Sequence, residues 1–287
     1  MKYVACCSFG KDSLAQIVVA KEHGEPIDAV IYSEVMFTDE ISGEFPEHRD
    51  FIYNVAIPKL KELYGLETIV LRSEQTMWRD FHTVRVRGST KGLLRGFPIP
   101  GLCTINRDCK IPPIRKYLAE QTDEIIQYVG IAADEPKRLK RLEGTNRVSI
   151  LAKYGVTEEQ AKDICERMGL LSPIYNITHR NGCFFCPNAS EKEIRHLYFN
   201  HPDLWELLRE LQTTPGTSRE CFTRNKTLFE YEEMFEEELD LYYESMNDFH
   251  DCEFEMDDIY FDPVGETTGH STTTYGGDVI PVLNMKI

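Results

Sequence analysis

A short loop near the start of the chain combines the residue types that bind a phosphate. Residues 7–13 read Cys-Ser-Phe-Gly-Lys-Asp-Ser, and they join a predicted first strand to a predicted first helix. The first N–H groups of a helix have no intrahelical partner and lie at the positive end of the helix dipole. Gly10 lets the backbone approach an anion closely, and Lys11 adds a mobile positive charge. The loop is therefore a candidate anion site.

Two well-known glycine loops do not match this segment. The loop of the nucleoside triphosphatases, G-x-x-x-x-G-K-[ST], is absent because Asp12 follows Lys11 and no residue supplies the first glycine. The dinucleotide fingerprint G-x-G-x-x-G is absent as well. Ser8, Asp12 and Ser13 are helix-capping residue types that can fix the turn. A strand-to-helix turn without a ligand is the alternative interpretation.

The segment resembles the pyrophosphate-binding S-G-G-x-D-S loop of the PP-loop superfamily, with Phe9 in place of the first glycine. That superfamily includes adenylating ATP pyrophosphatases, tRNA and DNA thiolation enzymes, and the sulfonucleotide reductases. The resemblance implies that the loop binds the phosphates of an adenine nucleotide.

Four of the nine cysteines form two close pairs, which indicates a metal centre. Cys183 and Cys186 have the C-x2-C spacing of a tight metal-binding turn, and Cys103 and Cys109 have the looser C-x5-C spacing. Four thiolates suit either Zn²⁺ or a 4Fe–4S cluster. Two unrelated pairs of buried thiols are the alternative. The other five are interpreted as core or incidental residues: Cys6, Cys7, Cys165, Cys221 and Cys252.

The segments around these cysteines resemble the phosphoadenosine phosphosulfate reductase branch of the superfamily. Its adenylylsulfate reductases bind a 4Fe–4S cluster through a cysteine pair before a Lys-Val-x-Pro-Leu run and through a later Gly-Cys-x-x-Cys. Residues 110–114 and 182–186 are similar to those two segments. The first pair is adjacent in the reductases and separated by five residues here. The resemblance slightly favours the 4Fe–4S cluster over Zn²⁺.

Three further segments extend the resemblance over about residues 1–190. Ser33–Asp39 and Phe45–His48 are similar to the family's acidic segment that borders the adenosine. Residues 128–134 are similar to the Gly-Ile-Arg-Arg-Asp segment of the reductases, and residues 171–174 are similar to their Asn-Pro-Leu run. The resemblance implies a nucleotide site made of Ser8, Phe9, Gly10, Lys11, Asp12, Ser13, Ser33, Gly130 and Asp134.

The spacing of apolar residues predicts the elements that position these groups. Strands are predicted at about 2–8, 29–35, 67–73 and 125–132, and helices at about 13–23, 47–64, 112–121, 157–168, 190–199, 202–212 and 227–246. Pro58 should kink or split the second helix, and residues 82–101 are interpreted as a loop or hairpin excursion. The alternation predicts an α/β fold, and the resemblance implies that it is of the Rossmann-like, PP-loop (HUP-like) kind. A parallel sheet with helices on both faces precedes a mainly helical C-terminal region.

We predict three parts: a nucleotide-binding α/β domain over residues 1–150, a helical region over 151–226 and an acidic segment over 227–287. Residues 227–285 contain 17 acidic residues and no Lys or Arg, and they account for the net charge of −16. The rest of the chain has a net charge of +1. Nine basic residues between 79 and 116 could hold an anionic substrate or a nucleic acid, although a solvated surface explains them as well. Candidate substrate-binding residues are Arg107, Lys110 and Arg138.

No apolar run has the length of a membrane span and no signal peptide is recognisable, so we expect a cytoplasmic protein that does not bind a membrane. Its expected partners are an adenine nucleotide, a nucleic-acid or protein substrate, and a sulfur donor protein. The sequence predicts neither the acceptor nor the oligomeric state.

Three functions fit these residues. The first is an ATP pyrophosphatase that adenylates a substrate for sulfur transfer, with ATP and Mg²⁺ bound at the loop and with Lys11 and Asp12 as catalytic residues. The second is a sulfonucleotide reductase with Cys221 as nucleophile, although Cys221 lacks the family's following Gly and His, and Ala132 and Ala133 replace its two arginines. The third is a non-enzymatic nucleotide sensor whose acidic segment binds a partner.

Overall fold

A computed structural model describes residues 1–101, 103–179 and 182–250, and it gives only the backbone for Tyr242 and for residues 245–250. Cys252 and most of the predicted acidic segment lie outside the described residues. Met1–Asp240 forms one compact unit. The predicted boundaries at residues 150 and 226 stay predictions.

Five parallel strands form one sheet in the order β3-β2-β1-β4-β5. They are β1 (Lys2–Cys6), β2 (Ala29–Glu34), β3 (Thr68–Arg72), β4 (Ile125–Val129) and β5 (Arg147–Val148). The order reverses between β1 and β4, and open α/β sheets bind ligands at the carboxyl ends of the strands at such a point. The loop after β1 therefore lies where this architecture places a ligand.

Helices cover the sheet and build the region that follows it. The α-helices are α1 (Lys11–Glu22), α2 (Pro46–Phe51), α3 (Ile57–Tyr64), α4 (Met77–Phe81), α5 (Ile111–Ala119), α6 (Pro136–Leu139), α7 (Ile150–Lys153), α8 (Glu158–Arg167), α9 (Glu191–Asn200), α10 (Pro202–Gln212) and α11 (Leu228–His250). The π-helical turns are Ile52–Ala56 and Asn106–Lys110, and the 3₁₀ turns are Lys140–Leu142 and Pro173–Asn176. None of the helices in the described ranges is both long enough and apolar enough to cross a bilayer.

The predicted helix over 47–64 is split into two α-helical segments, as Pro58 led us to expect. The π-helical turn Ile52–Ala56 separates α2 from α3 and ends two residues before Pro58. Proline cannot donate the N–H that an α-helix needs at this point, and a π turn changes the hydrogen-bond spacing there. The short elements α4, α6, α7 and β5 escaped prediction because segments of two to five residues are too short to establish a period.

The two faces of the sheet are covered by different helices. On one face, α1, α3 and α8 pack into a core that includes Leu14, Leu60 and Ala161. On the other face, α5 places Ile114 and Leu118 against the strands. Residues 13–20 of α1 are buried without interruption, because this helix lies between the sheet and α8. The predicted fold class is confirmed.

A second core, rich in aromatic side chains, joins α4, α9, α10 and α11 to the loops beyond the sheet. Phe184 and Phe185, the two residues between Cys183 and Cys186, are buried in it against Phe37. The mainly helical C-terminal region is thus also confirmed. Its packing holds the second cysteine pair near the end of the sheet that carries the candidate anion loop.

Candidate functional site

The loop between β1 and α1 is held in shape by its own serines. Gly10 is the N-terminal cap of α1 and has an extended backbone, with φ −77° and ψ 163°. The Ser13 hydroxyl donates a hydrogen bond to the Gly10 carbonyl at 2.9 Å and accepts one from the Ser8 N–H at 3.2 Å. Ser8 and Ser13 therefore set the curvature of the loop around the start of the helix.

Phe9 shows why a glycine suits this position of the loop. Its φ is +58°, in the left-handed region, where a residue with a Cβ atom loses roughly 1–2 kcal/mol. The ring is fully buried and packs edge-on against Tyr32, with 5.2 Å between the ring centroids. Burial of an aromatic ring offsets the backbone cost. The departure from the S-G-G-x-D-S pattern thus keeps the backbone shape that glycine would adopt.

Lys11 occupies the first turn of α1 and is held by two carboxylates. Its Nζ lies 2.8 Å from Asp12 Oδ1 and 3.0 Å from Glu158 Oε2. Although partial burial favours the neutral amine, these hydrogen bonds raise the pKa of Lys11 above its usual value. Burial raises the pKa of Asp12. The Lys11 backbone N–H, one of the first donors of α1, donates to the Tyr175 hydroxyl at 2.8 Å.

A cavity of about 300 Å³ opens beside Lys11. This volume is at the lower end of the range for small-molecule sites. Its walls come from α1, from the first turns of α8 and from the segment after the 3₁₀ turn at 173–176. The lining residues are Lys11, Glu158, Glu159, Lys162, Tyr175, Thr178 and His179.

Gly130 brings the end of β4 against the loop. A Cβ atom on Gly130 would lie 2.7 Å from the Ser13 backbone nitrogen and 2.8 Å from its Cα, closer than packed atoms allow. Any larger residue would push β4 and α1 apart. Asp134 lies further on, and its Oδ1 accepts a hydrogen bond from the Glu158 N–H at 3.1 Å. Asp134 therefore positions the start of α8, which carries Glu158.

Ser33 is buried at the end of β2 and connects the sheet to the first cysteine pair. Its hydroxyl donates to the Lys110 carbonyl at 2.9 Å, one residue after Cys109. The neighbouring Glu34 is fully buried and accepts hydrogen bonds from Arg72, Tyr53 and other donors. The acidic segment after β2 is thus engaged in internal contacts. Direct nucleotide binding by Ser33 stays a prediction.

The two cysteine pairs influence each other electrostatically. Burial raises the pKa of Cys183 well above its usual value, and nearby Cys186 and Cys103 raise it further. Burial also raises the pKa of Cys109 to about 12, with Asp80, Asp108 and Cys103 adding to the effect. No three of these four sulfur atoms lie within 4.8 Å of one another in the described residues. Among the described residues, all cysteines are free of disulfides.

A hydrogen-bond donor and a cation lie near these thiols. The Asn106 N–H donates to Cys103 Sγ at 3.4 Å, and the Cys186 N–H donates to the Cys183 carbonyl at 3.0 Å to close a tight turn. Cys183 also pairs with Glu44 in an isolated antiparallel bridge. The Lys110 charge lowers the pKa of Cys183, although burial dominates. The N–H contact at Cys103 and the Lys110 charge favour the thiolate forms, whereas burial of Cys109 and Cys183 opposes them.

Two of the three candidate substrate-binding residues are paired with local carboxylates. Arg107 makes two hydrogen bonds of 2.6 Å to Asp108, and Arg138 binds Glu135 at 2.5 and 2.7 Å. Lys110 has no ion pair within the described parts of the chain, and its side chain is close enough to Cys7 and Cys183 to lower their pKa values. A bound anion must therefore compete with carboxylates at Arg107 and Arg138. Substrate binding by these three residues stays a prediction.

Cys221, the nucleophile of the reductase alternative, lies in a different environment. Its carbonyl accepts a hydrogen bond from Arg219 Nε at 2.9 Å, and the adjacent Phe222 is buried against Phe97. Cys221 does not line the cavity beside Lys11 as far as the described residues define it.

Two residues at Lys11 escaped the sequence analysis. Tyr175 directly follows residues 171–174, which resemble a segment of the reductases. Its position could therefore have identified it from the sequence as a residue near Lys11. Glu158 had no such signal, because an acidic residue in the first turn of a helix is ordinary and Glu159 beside it is equivalent by sequence. Only the packing of α8 on α1 distinguishes the two.

Comparisons with known proteins add little to this description. No protein-family model matches the chain, and no curated protein does either. Among solved structures, the chain is similar to the U34-tRNA thiolase NcsA from Methanococcus maripaludis, determined with its [4Fe-4S] cluster. The identity is 18%, the match covers 81% of this chain and 80% of that one, and the TM-score is 0.37. So distant a likeness carries no conclusion about activity.

Replacing Phe9 tests the left-handed backbone of the loop. We expect Phe9→Ala to destabilise the protein more than Phe9→Gly does, by about 1 kcal/mol, because both lose the ring but only alanine keeps the strain. Urea unfolding followed by circular dichroism measures the difference. Leu14→Ala and Leu14→Gly, in the helix that follows, provide the matched pair, and there alanine should be the more stable. If the alanine variant is more stable than the glycine variant at both positions, the backbone at Phe9 is not strained.

Proposed function

We propose that this protein is an adenine-nucleotide-binding ATP pyrophosphatase that adenylates its substrate for sulfur transfer. The observation that carries the proposal is the position of Lys11. It lies in the first turn of α1, at the point where the strand order reverses, and it borders a cavity. Helix N-termini at that point of an α/β sheet suit phosphate groups.

The charges around Lys11 would allow a phosphate group to replace the Glu158 carboxylate as the partner of Lys11. Glu158 supplies a carboxylate to Lys11 at 3.0 Å, and its own side chain is half exposed. The pyrophosphate part of ATP carries more negative charge than one carboxylate, so it would compete with Glu158 for Lys11. The Lys11 N–H, which donates to the Tyr175 hydroxyl, would be a second group that binds a phosphate oxygen.

Each loop residue then has a defined task in adenylation. An acceptor oxygen would attack the α-phosphorus of ATP, the bond to the bridging oxygen would break, and pyrophosphate would leave with the electron pair. Lys11 and the first N–H groups of α1 would stabilise the charge that builds on that leaving group. Asp12, which borders Lys11, would hold the Mg²⁺ that accompanies the phosphates. A sulfur donor would then displace AMP from the activated acceptor.

Cys103, Cys109, Cys183 and Cys186 would hold a 4Fe–4S cluster or, as the alternative, Zn²⁺. A bound cluster would supply redox or sulfur-relay chemistry, whereas four-coordinate zinc would be structural. Ser33 and Lys110 support the proposal because they connect the end of β2 to this cysteine neighbourhood. The acceptor class remains nucleic acid or protein.

Removing the Lys11 charge tests the function. We expect Lys11→Ala to slow pyrophosphate release from ATP by about 10²–10³-fold, the usual loss when a preorganised stabilising group is removed. Lys162→Ala provides the matched control, because Lys162 lines the same cavity on α8 but is not in the loop. A pyrophosphate-release assay measures both variants. An unchanged rate in Lys11→Ala would overturn the proposal.

Neutralising Glu158 tests the exchange at Lys11. We expect Glu158→Gln to tighten ATP binding about two- to fivefold, because the nucleotide no longer has to break an ion pair worth up to about 1 kcal/mol. Equilibrium binding of a non-hydrolysable ATP analogue measures the effect. Glu159→Gln changes the same net charge on the same cavity wall and should have less effect. Weaker binding in Glu158→Gln would show that this carboxylate helps to bind the nucleotide instead.

Removing one thiol tests the cysteine centre. We expect protein purified without oxygen to contain iron and acid-labile sulfide, and Cys183→Ser to lose both, because a cluster needs all its thiolate ligands. Cys221→Ser, outside the quartet, should keep the metal content of the unchanged protein. Metal analysis distinguishes iron from zinc. If Cys183→Ser holds as many equivalents of metal and sulfide as the unchanged protein, the quartet is not a ligand set.

A further inference from the structure

Glu47, His196 and His201 converge at a place that the proposed function does not use. Glu47 lies in the first turn of α2, His196 lies in α9, and His201 joins α9 to α10. Oε1 of Glu47 is 2.7 Å from Nε2 of His196 and 3.0 Å from Nε2 of His201. One ligand atom from each residue lies within 4.8 Å of those of the other two.

We propose that these three side chains bind a divalent first-row transition metal ion such as Zn²⁺. Two imidazole nitrogens and one carboxylate form a ligand set that zinc uses with a water molecule in the fourth position. The same set with open positions also suits Fe²⁺. Mg²⁺ and Ca²⁺ prefer sets of ligands that are all oxygen atoms, whereas this group has one carboxylate and two imidazoles. The proposal is independent of the proposed nucleotide chemistry.

The second carboxylate oxygen of Glu47 distinguishes the group from an ordinary ion pair. Its Oε2 is inaccessible to solvent and has no hydrogen-bond partner among the described residues. A buried acceptor without a partner destabilises the folded chain, because it has lost its hydrogen bonds to water. A cation placed between the carboxylate and the two imidazoles would interact favourably with that oxygen.

The site is accessible to an ion and its water ligand. The side chains are 30% exposed for Glu47, 19% for His196 and 15% for His201. They are thus shielded enough to share one ion but open on one side. The Asn200 amide nitrogen lies 3.2 Å from Nδ1 of His196. Metal binding at Nε2 would require a half-turn of that amide, so that its oxygen accepts the Nδ1 proton.

A metal here would join the two cores of the compact unit. Glu47 belongs to the helix that precedes the π turn, and the histidines belong to the helical region. The neighbouring His48 lies with its Nε2 3.4 Å from the Ser8 carbonyl and its Nδ1 2.8 Å from the Ser172 hydroxyl. An ion that fixes Glu47 would therefore also steady the helix turn that contacts the candidate anion loop.

Metal counting tests the proposal. The full chain is loaded with Zn²⁺, dialysed, and its bound zinc measured for the unchanged protein and for His196→Gln, His201→Gln and Glu47→Gln. All four proteins keep the cysteine quartet, so any zinc bound there adds equally to each measured zinc content. We expect each variant to hold one equivalent less. His23→Gln, which changes a histidine stacked on Tyr154, should lose none. Equal zinc in all proteins would overturn the proposal.

A second measurement needs no variant and guards against misfolding. In a Co²⁺ titration of the unchanged protein, cobalt bound to the cysteines produces intense thiolate-to-metal absorption, whereas cobalt on two imidazoles and a carboxylate does not. We expect one equivalent to bind without the thiolate absorption. If every bound equivalent carries that absorption, the Glu47 group binds no metal.

Discussion

The close approach of β4 to the first turn of α1 is the constraint on which the candidate site depends. Without a side chain at Gly130, the Ser13 backbone can lie against the end of β4, and α1 can start directly above the edge where the strand order reverses. That position places Lys11, in the first turn of α1, on the wall of the cavity. A different residue at 130 would move the helix and, with it, every donor of the loop.

The backbone of Phe9 belongs to the same constraint. To pass from β1 into a helix that starts this close to the sheet, the chain must adopt a left-handed conformation at one residue, and it does so at Phe9. A glycine would do this without strain. Here an aromatic ring packed on Tyr32 compensates, so the loop depends on the core beneath it. The shape of the candidate anion loop and the packing of the sheet are therefore coupled.

The fold could be predicted from sequence because its signals are local and repeated. The buried strand Ala29–Glu34 begins with a run of four apolar residues, and α1 and α8 carry apolar residues at helical spacing. The loop was found for the same reason, since its residue types lie together at a strand-to-helix junction. The cysteine pairs were found from spacing alone, although their mutual influence across the chain depends on the tertiary structure.

Partners distant in sequence could not be predicted. Glu158 and Glu159 are alike by sequence, and only the rotation of α8 against α1 directs Glu158 to Lys11. The convergence of Glu47 with His196 and His201 spans about 150 residues and follows no spacing rule. Arg107 and Arg138 appeared to be free positive charges in sequence, whereas each lies against a carboxylate within three residues. Charge counts over a segment do not reveal how its charges pair.

The pairing of charges also explains why this site can be compact without a ligand. Lys11 is mostly buried, and a buried ammonium group needs a counter-charge. Asp12 and Glu158 supply it, but their positions differ. Asp12 is adjacent in sequence and moves with the loop, whereas Glu158 comes from α8, is half exposed and is oriented by the Asp134 contact with its backbone. Under the proposed function, an incoming phosphate would displace Glu158 into water at little cost while Asp12 stays beside Lys11, so the burial of Lys11 would remain compensated.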